Sequence, residues 1–298
     1  MISPESLDTM AEDAKWPRAN SLITSAPSPV GLIDIPAHKT SISETNAHLT
    51  PAAIRAALGR YSTFSYSAYE QITTTVEDLG VIKDPDSNED KTIKAIASAE
   101  KALTIALGGD NSITYAAALG VYGDDLATAG LITLDAHHDL RDGISNGSPV
   151  RRLIEAGLNP KNIVQVGIND FSNSYEYAKL AKDLGISVVS RSTLEHIGIQ
   201  EACNLALGVA AGAGGKVFVD LDVDVCDRSV VPACPAAAPG GISAFQLRQA
   251  TRLLASHRQV RGMDITEIDV SKDSDDERTV RLGALLVLEM LSGFQLRP

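Results

Sequence analysis

The run Asp135-Ala136-His137-His138-Asp139 closes an apolar stretch, residues 130–134, with two carboxylates around a pair of imidazoles. A second apolar stretch ends in Asp222-Val223-Asp224 and continues to Asp227. In an extended segment, residues i, i+2 and i+4 share one side, so Asp135, His137 and Asp139 are expected to face a common point. Carboxylates brought together repel one another unless an opposite charge lies among them. The nearby basic residues, Arg141 and Arg228, are too few for that. Hard oxygen donors with one imidazole suit Mn2+ or a similar divalent ion. A carboxylate has two oxygens, so two such segments can bridge a pair of ions about 3.5–4 Å apart, an arrangement that activates water for hydrolysis.

Two further apolar runs end the same way. Gly109 is followed by Asp110 and Asn111, and the run from Val260 carries Asp264, Glu267 and Asp269. A single acid in such a place more often caps a helix or closes a loop. Four neighbouring runs ending in acids are not explained that way, because several buried carboxylates need protons or counter-charge.

Elements must hold these residues. β-rich runs at 30–36, 103–109, 130–136, 162–168, 186–190, 216–224 and 260–268 alternate with helical patterns. Helices are expected over 174–184, 199–211, 243–256 and 278–293, over 148–157 with its stop at Gly157, after a Thr50 cap, and after a Ser87 cap. Such alternation predicts βαβ units and a mostly parallel sheet with helices on both faces. Ligands of such sheets bind at the carboxyl ends of the strands, where the acids fall. No internal repeat or composition break follows residue 30, so one domain over 1–298 is expected, with residues 1–28 a loosely ordered lead-in.

The chain of 298 residues carries a net charge of −12. That argues against nucleic acid and membrane surfaces as partners, since both attract a basic face. Cys203, Cys226 and Cys234 are odd in number and lack CxxC spacing, which favours a reducing, cytoplasmic setting. The polar, acidic first residues do not resemble a signal peptide, and the apolar run 283–294 is too short for a bilayer and contains Glu289.

GGDNS (108–112), DAHHD (135–139), DVDVCD (222–227) with PGG (239–241), and MDITEID (263–269) resemble, in order and over nearly the whole chain, the ureohydrolase family of arginase, agmatinase and formimidoylglutamase. The resemblance implies a three-layer α/β/α fold with a central sheet of about eight strands and two Mn2+ ions bridged by a hydroxide. It implies Asp135, His137, Asp139, Asp222 and Asp224 as five metal ligands. The sixth, a histidine in the family, is replaced here by Asn111, whose amide oxygen is a weaker donor. It further implies Asp139 as proton shuttle, Glu267 as the acid holding the substrate's cationic N–H groups, and a trimer or hexamer.

Within the family, SNGSP places Asn146 where arginase- and agmatinase-like members carry a histidine, and Arg228 stands where they have a proline. The passage 139–157 most resembles the formimidoylglutamase branch. The implied reaction is metal-dependent hydrolysis of the formimino C–N bond of N-formimidoyl-L-glutamate to L-glutamate and formamide, a step of histidine degradation. The alternatives are a guanidino-acid or agmatine hydrolase releasing urea, and a metal-poor relative without catalysis. A substrate with two carboxylates calls for cations, for which Arg141, Arg151 and Arg152 are candidates by proximity. His138 is expected as a pocket wall, and Cys226 and Cys234 as packing thiols.

Overall fold

The strands β2 (Val30–Ile35), β6 (Leu103–Gly108), β7 (Gly130–Leu134), β8 (Ile163–Ile168) and β10 (Val217–Leu221) are buried at every position. Unbroken burial is the mark of a parallel sheet covered on both faces. The computed structural model describes residues 13–298. In it these strands join β1 (Ile23–Thr24), β5 (Val76–Val81), β9 (Ser187–Ser190) and β11 (Val260–Ile265) in one nine-stranded sheet, in the order β1-β5-β2-β6-β11-β10-β7-β8-β9. All eight pairings are parallel. A separate hairpin pairs β3 (Phe64–Ser65) with β4 (Glu70–Gln71).

Side chains alternate across the sheet and feed two cores. Leu131 and Ile163 point into one, Ile132 and Val164 into the other. The first core is closed by α2 (Glu89–Ala99), α3 (Ile113–Tyr122), α4 (Pro149–Ala156) and α5 (Tyr175–Leu184). The second is closed by α1 (Thr50–Leu58), α6 (Arg191–Ile197), α7 (Ile199–Ala210), α8 (Ala244–Ala255) and α9 (Arg278–Gln295). This is the three-layer α/β/α fold expected.

The departures have physical causes. The sheet has nine strands rather than about eight, because β1 and β5 lie at one edge. There β5 is only partly buried, so its acids interrupt the apolar signal. Residues 19–24 form a turn of 3-10 helix and β1, which corrects the expectation of a loose lead-in for that part; residues 1–12 of it lie outside the described residues. Helix α3 escaped the periodicity because eight of its ten residues are buried and no polar face exists to read. Thr50 lies inside α1 and donates its hydroxyl to the Ile268 carbonyl instead of capping. Ser87 ends a 3-10 turn, and Asn88 precedes α2. By contrast Ser243 and Gln246 form a reciprocal capping box at α8.

Candidate metal centre

Strand order brings β6, β11, β10 and β7 side by side at the middle of the sheet, and their carboxyl ends deliver the acids to one cavity of about 290 Å3. One oxygen or nitrogen each from Asp135, His137 and Asp224 lies within 4.8 Å of the others. His137 Nδ1 is 2.8 Å from Asp224 Oδ2 and 3.4 Å from Asp135 Oδ1. Backbone amides also hold these carboxylates. Ala136 N–H donates to Asp224 Oδ1 (3.0 Å), His137 N–H to Asp135 Oδ1 (2.6 Å), and Asp224 N–H to Asp222 Oδ1 (2.8 Å). Asp135 Oδ2 is buried without a partner.

The segments are not extended, as periodicity suggested. Asp139 sits in the left-handed region at φ 51°, and Asp224 lies in a 3-10 turn, Val223–Val225, whose N-cap is Asp222. The turn, not strand alternation, aims both carboxylates into the cavity. Glu267 is also left-handed, at φ 66°. Non-glycine residues held there store about 1–3 kcal/mol each, and such strain gathers at functional sites. Behind the acids, Gly109 packs so close to Ala37 that a Cβ would lie 2.0 Å from its carbonyl oxygen, so no larger residue fits this turn.

Electrostatics make the cluster unstable by itself. Burial, then Asp224, raises Asp135 to about 6. Asp139 and Asp222 are pushed well up by burial and by neighbouring carboxylates. Against burial, hydrogen bonds to Asp135 and Asp224 lift His137 to about 12. Burial and then Asp110 raise Glu267 to about 8. An orphaned carboxylate oxygen among converging acids is the mark of a cation site. The donor set fits a hard divalent ion.

Asn111 joins the site differently from its expected role as a ligand. Its Nδ2 donates to Asp139 Oδ2 at 2.5 Å, while its Oδ1 accepts from the Thr114 and Thr266 hydroxyls at 2.8 and 3.1 Å. The carboxylate accepts, so the amide nitrogen faces the cluster and the oxygen is turned away. The Asn111 backbone N–H (2.7 Å) and Asn146 Nδ2 (2.9 Å) both donate to Glu267 Oε1. Asn146 also accepts from the Ile42 N–H, tying the rim to the floor. His138 forms a wall, with Nδ1 2.6 Å from Gln165 Oε1, while Gln165 Nε2 donates to the His138 carbonyl.

Of the arginines, only Arg141 lines the cavity. Its side chain lies across Gly147, where a Cβ would meet its Cδ at 2.8 Å. Arg151 is not brought there: Asp142 holds it at 2.5 Å and Glu155 at 3.0 Å. Arg152 forks onto Glu89 and stacks on Tyr115, 3.7 Å from the ring centroid. Arg228 Nη1 gathers the carbonyls of Cys234, Pro235 and Ala237, shaping the loop that puts Ala236 on the rim. The thiols of Cys226 and Cys234 are free, buried and pushed up by burial, hence poor nucleophiles. Sequence reasoning missed Ile42, Ser43, Ser172, Asn173, Ser174 and Tyr177. The group 172–174 follows β8 and was findable by the same strand-end rule, whereas Ile42 and Ser43 arrive by a loop with no signal.

Residues 28–293 match the arginase family, and the chain belongs to it. It is 34% identical over 277 residues to formimidoylglutamase of Halalkalibacterium halodurans, spanning 88% of this chain and 86% of that one. The crystal structure of formimidoylglutamase from Bacillus subtilis superposes with a TM-score of 0.90 at 29% identity, covering 99% of this chain and 98% of that one. Trypanosoma cruzi formiminoglutamase with Mn2+ shares the fold at a TM-score of 0.88 and 21% identity, over 95% of this chain and 100% of that one.

Proposed function

We propose that the protein is a manganese-dependent hydrolase that splits N-formimidoyl-L-glutamate into L-glutamate and formamide, a step of histidine degradation. The observation that carries this reading is the cavity's polarity: a floor of converging carboxylates and, at the rim, Arg141, which has no carboxylate partner among the described residues. Such a cavity takes a cationic amidine at its base and an anionic tail at its mouth. Agmatine, a cation without a carboxylate, leaves Arg141 unused. The similarity to formimidoylglutamases over most of the chain supports the same substrate.

Asp135, His137, Asp139, Asp222 and Asp224 would hold two Mn2+ ions, which when bound supply Lewis acidity and a water acidic enough to react near neutral pH. Glu267 Oε1 is already held by Asn111 and Asn146, which leaves Oε2 for the amidinium N–H groups. Asp139, fixed by Asn111, takes the proton from the attacking water and passes it to the departing glutamate nitrogen. Water adds to the formimino carbon, the C–N bond to glutamate breaks, and formamide and the free amine balance the equation. Arg141 binds a substrate carboxylate, with His138 as the wall beside it.

The deciding experiment supplies Mn2+ and a panel of N-formimidoyl-L-glutamate, agmatine and guanidino acids. Equal amounts of glutamate and formamide are expected from the first, with no urea from the others; urea release alone would replace this reading with the guanidino one. Arg141→Gln is expected to raise KM about 10- to 100-fold with little change in kcat, since a hydrogen bond to a charged partner contributes about 1.5–3 kcal/mol.

Asn111→His supplies an imidazole in place of an amide whose oxygen faces away. It is expected to tighten the second metal about tenfold or more, read as Mn2+ retained per chain after dialysis. Unchanged retention would mean that other atoms already complete that shell.

Among the described residues no helix is long and apolar enough to cross a membrane. The free, buried cysteines suit a reducing compartment. The reading therefore includes a single catalytic domain, working in the cytoplasm as the trimer or hexamer that the family resemblance implies.

A further inference from the structure

At the opposite edge of the sheet from the acids, where β6, β11 and β10 begin, lies a second cavity of about 230 Å3. Lys101, Lys216 and Arg261 line it, each from the start of one of those strands or just before it. Arg297 lies near Arg261: the two guanidiniums donate to the adjacent carbonyls of Ala102 and Lys101, and burial and then the Arg261 charge lower Arg297 to about 10. In a chain of net charge −12 this is a concentration of the opposite sign.

The partners of these cations are mostly neutral. Lys216 Nζ donates to the Val121 and Tyr122 carbonyls at 2.9 and 3.2 Å. Arg261 Nη2 donates to the Lys101 carbonyl at 3.0 Å, and its Nε is buried without a partner. Arg297 reaches the carbonyls of Ala255, Ala102 and Val260. Lys101 is the exception, paired with Glu77. Glu100 lines the cavity without being ion-paired. Among the described residues Lys216, Arg261 and Arg297 have no carboxylate partner. Carbonyls satisfy N–H donors but leave the net charge uncancelled, and like charges in a partly buried space repel strongly.

We propose that this cavity is an anion-binding site for a small ligand carrying two or more negative charges, of the phosphate or dicarboxylate type. Arg261 supplies a planar guanidinium suited to paired oxygens. Lys216 adds a point charge with a donor left over beyond its two carbonyls. The Thr104 side chain at the start of β6 completes the wall with a hydroxyl. The residues do not overlap with those of the metal centre, so the site stands independently of the reaction proposed there.

The test is calorimetric titration and thermal unfolding of the Mn2+-loaded protein with sodium phosphate and with succinate, each against sodium chloride at equal ionic strength. Saturable binding of either anion is expected, with a Tm several degrees above the chloride control. Arg261→Gln should weaken it at least tenfold with metal content unchanged, and Lys216→Gln should do the same should the first variant fail to fold. Phosphate alone, succinate alone, or both identifies which chemistry the cavity accepts. Absence of saturable binding of both anions overturns the proposal. So does binding that survives undiminished in the variants, which would place the anion at the metal centre.

Discussion

Asp222→Asn is expected to lower kcat/KM by about a thousandfold or more and to release at least one Mn2+ per chain, while leaving the metal-free protein as stable as the parent or more so. Asparagine keeps the oxygen that accepts the Asp224 N–H, so the 3-10 turn keeps its cap. What it removes is one of the carboxylates that burial and the Asp224, Asp135 and Glu267 charges hold far above their ordinary value. A residue kept for folding would show the opposite pattern, a fall in Tm. Removing an outer partner of a metal ligand already lowers affinity or activity 10- to 100-fold, and loss of a ligand should exceed that. Metal analysis, initial rates and the metal-free Tm decide together. Retained Mn2+ with a lowered Tm would reassign Asp222 to structure.

The second large effect is a coupling of stability, pH and metal. In the metal-free protein Asp135, Asp264 and Glu267 lie at about 6, 7 and 8, raised foremost by burial. An acid whose folded pKa exceeds its unfolded one binds its proton more tightly when folded. Stability is then greatest at low pH within the window and falls as pH rises from about 4 toward 8. The slope reaches about 1.4 kcal/mol per pH unit for each such group. At about 2–4 °C per kcal/mol, the metal-free Tm should drop by about ten degrees or more between pH 5.5 and 8. Mn2+ favours the ionised carboxylates, so its stabilisation should grow over the same range and reverse the trend. Thermal unfolding at four pH values with chelator and with Mn2+ measures both slopes. A metal-free Tm rising through that range would show that these carboxyls are not held protonated.

Much of this was legible from residue types. The β6, β7 and β10 runs are apolar because both sheet faces are covered, so they stand out, and each is followed by its acids. Helices with one wet face were readable, as α8, expected over 243–256, illustrates. Helix α3 was not, since burial all round removes the periodic signal, nor was β5, whose acids reflect a half-exposed strand next to the short edge strand β1.

The sequence by itself determined that carboxylates and an imidazole collect at strand ends, because no other arrangement of such residues is compatible with burial beside apolar runs. Only the tertiary structure decided how they meet. A left-handed Asp139 and a one-turn helix at Asp224 replace the regular alternation that local pattern implies. It also decided which arginine faces the cavity. Arg141 and Arg151 look alike in the chain, but Asp142 and Glu155 hold the second away from it. Asn111, which reads as a weakened ligand, became a donor to Asp139 because the Thr114 and Thr266 hydroxyls, distant in sequence from one another, claim its oxygen. Thr114 lies three residues from Asn111, but Thr266 and Asp139 are supplied by other elements, and local sequence holds no record of those.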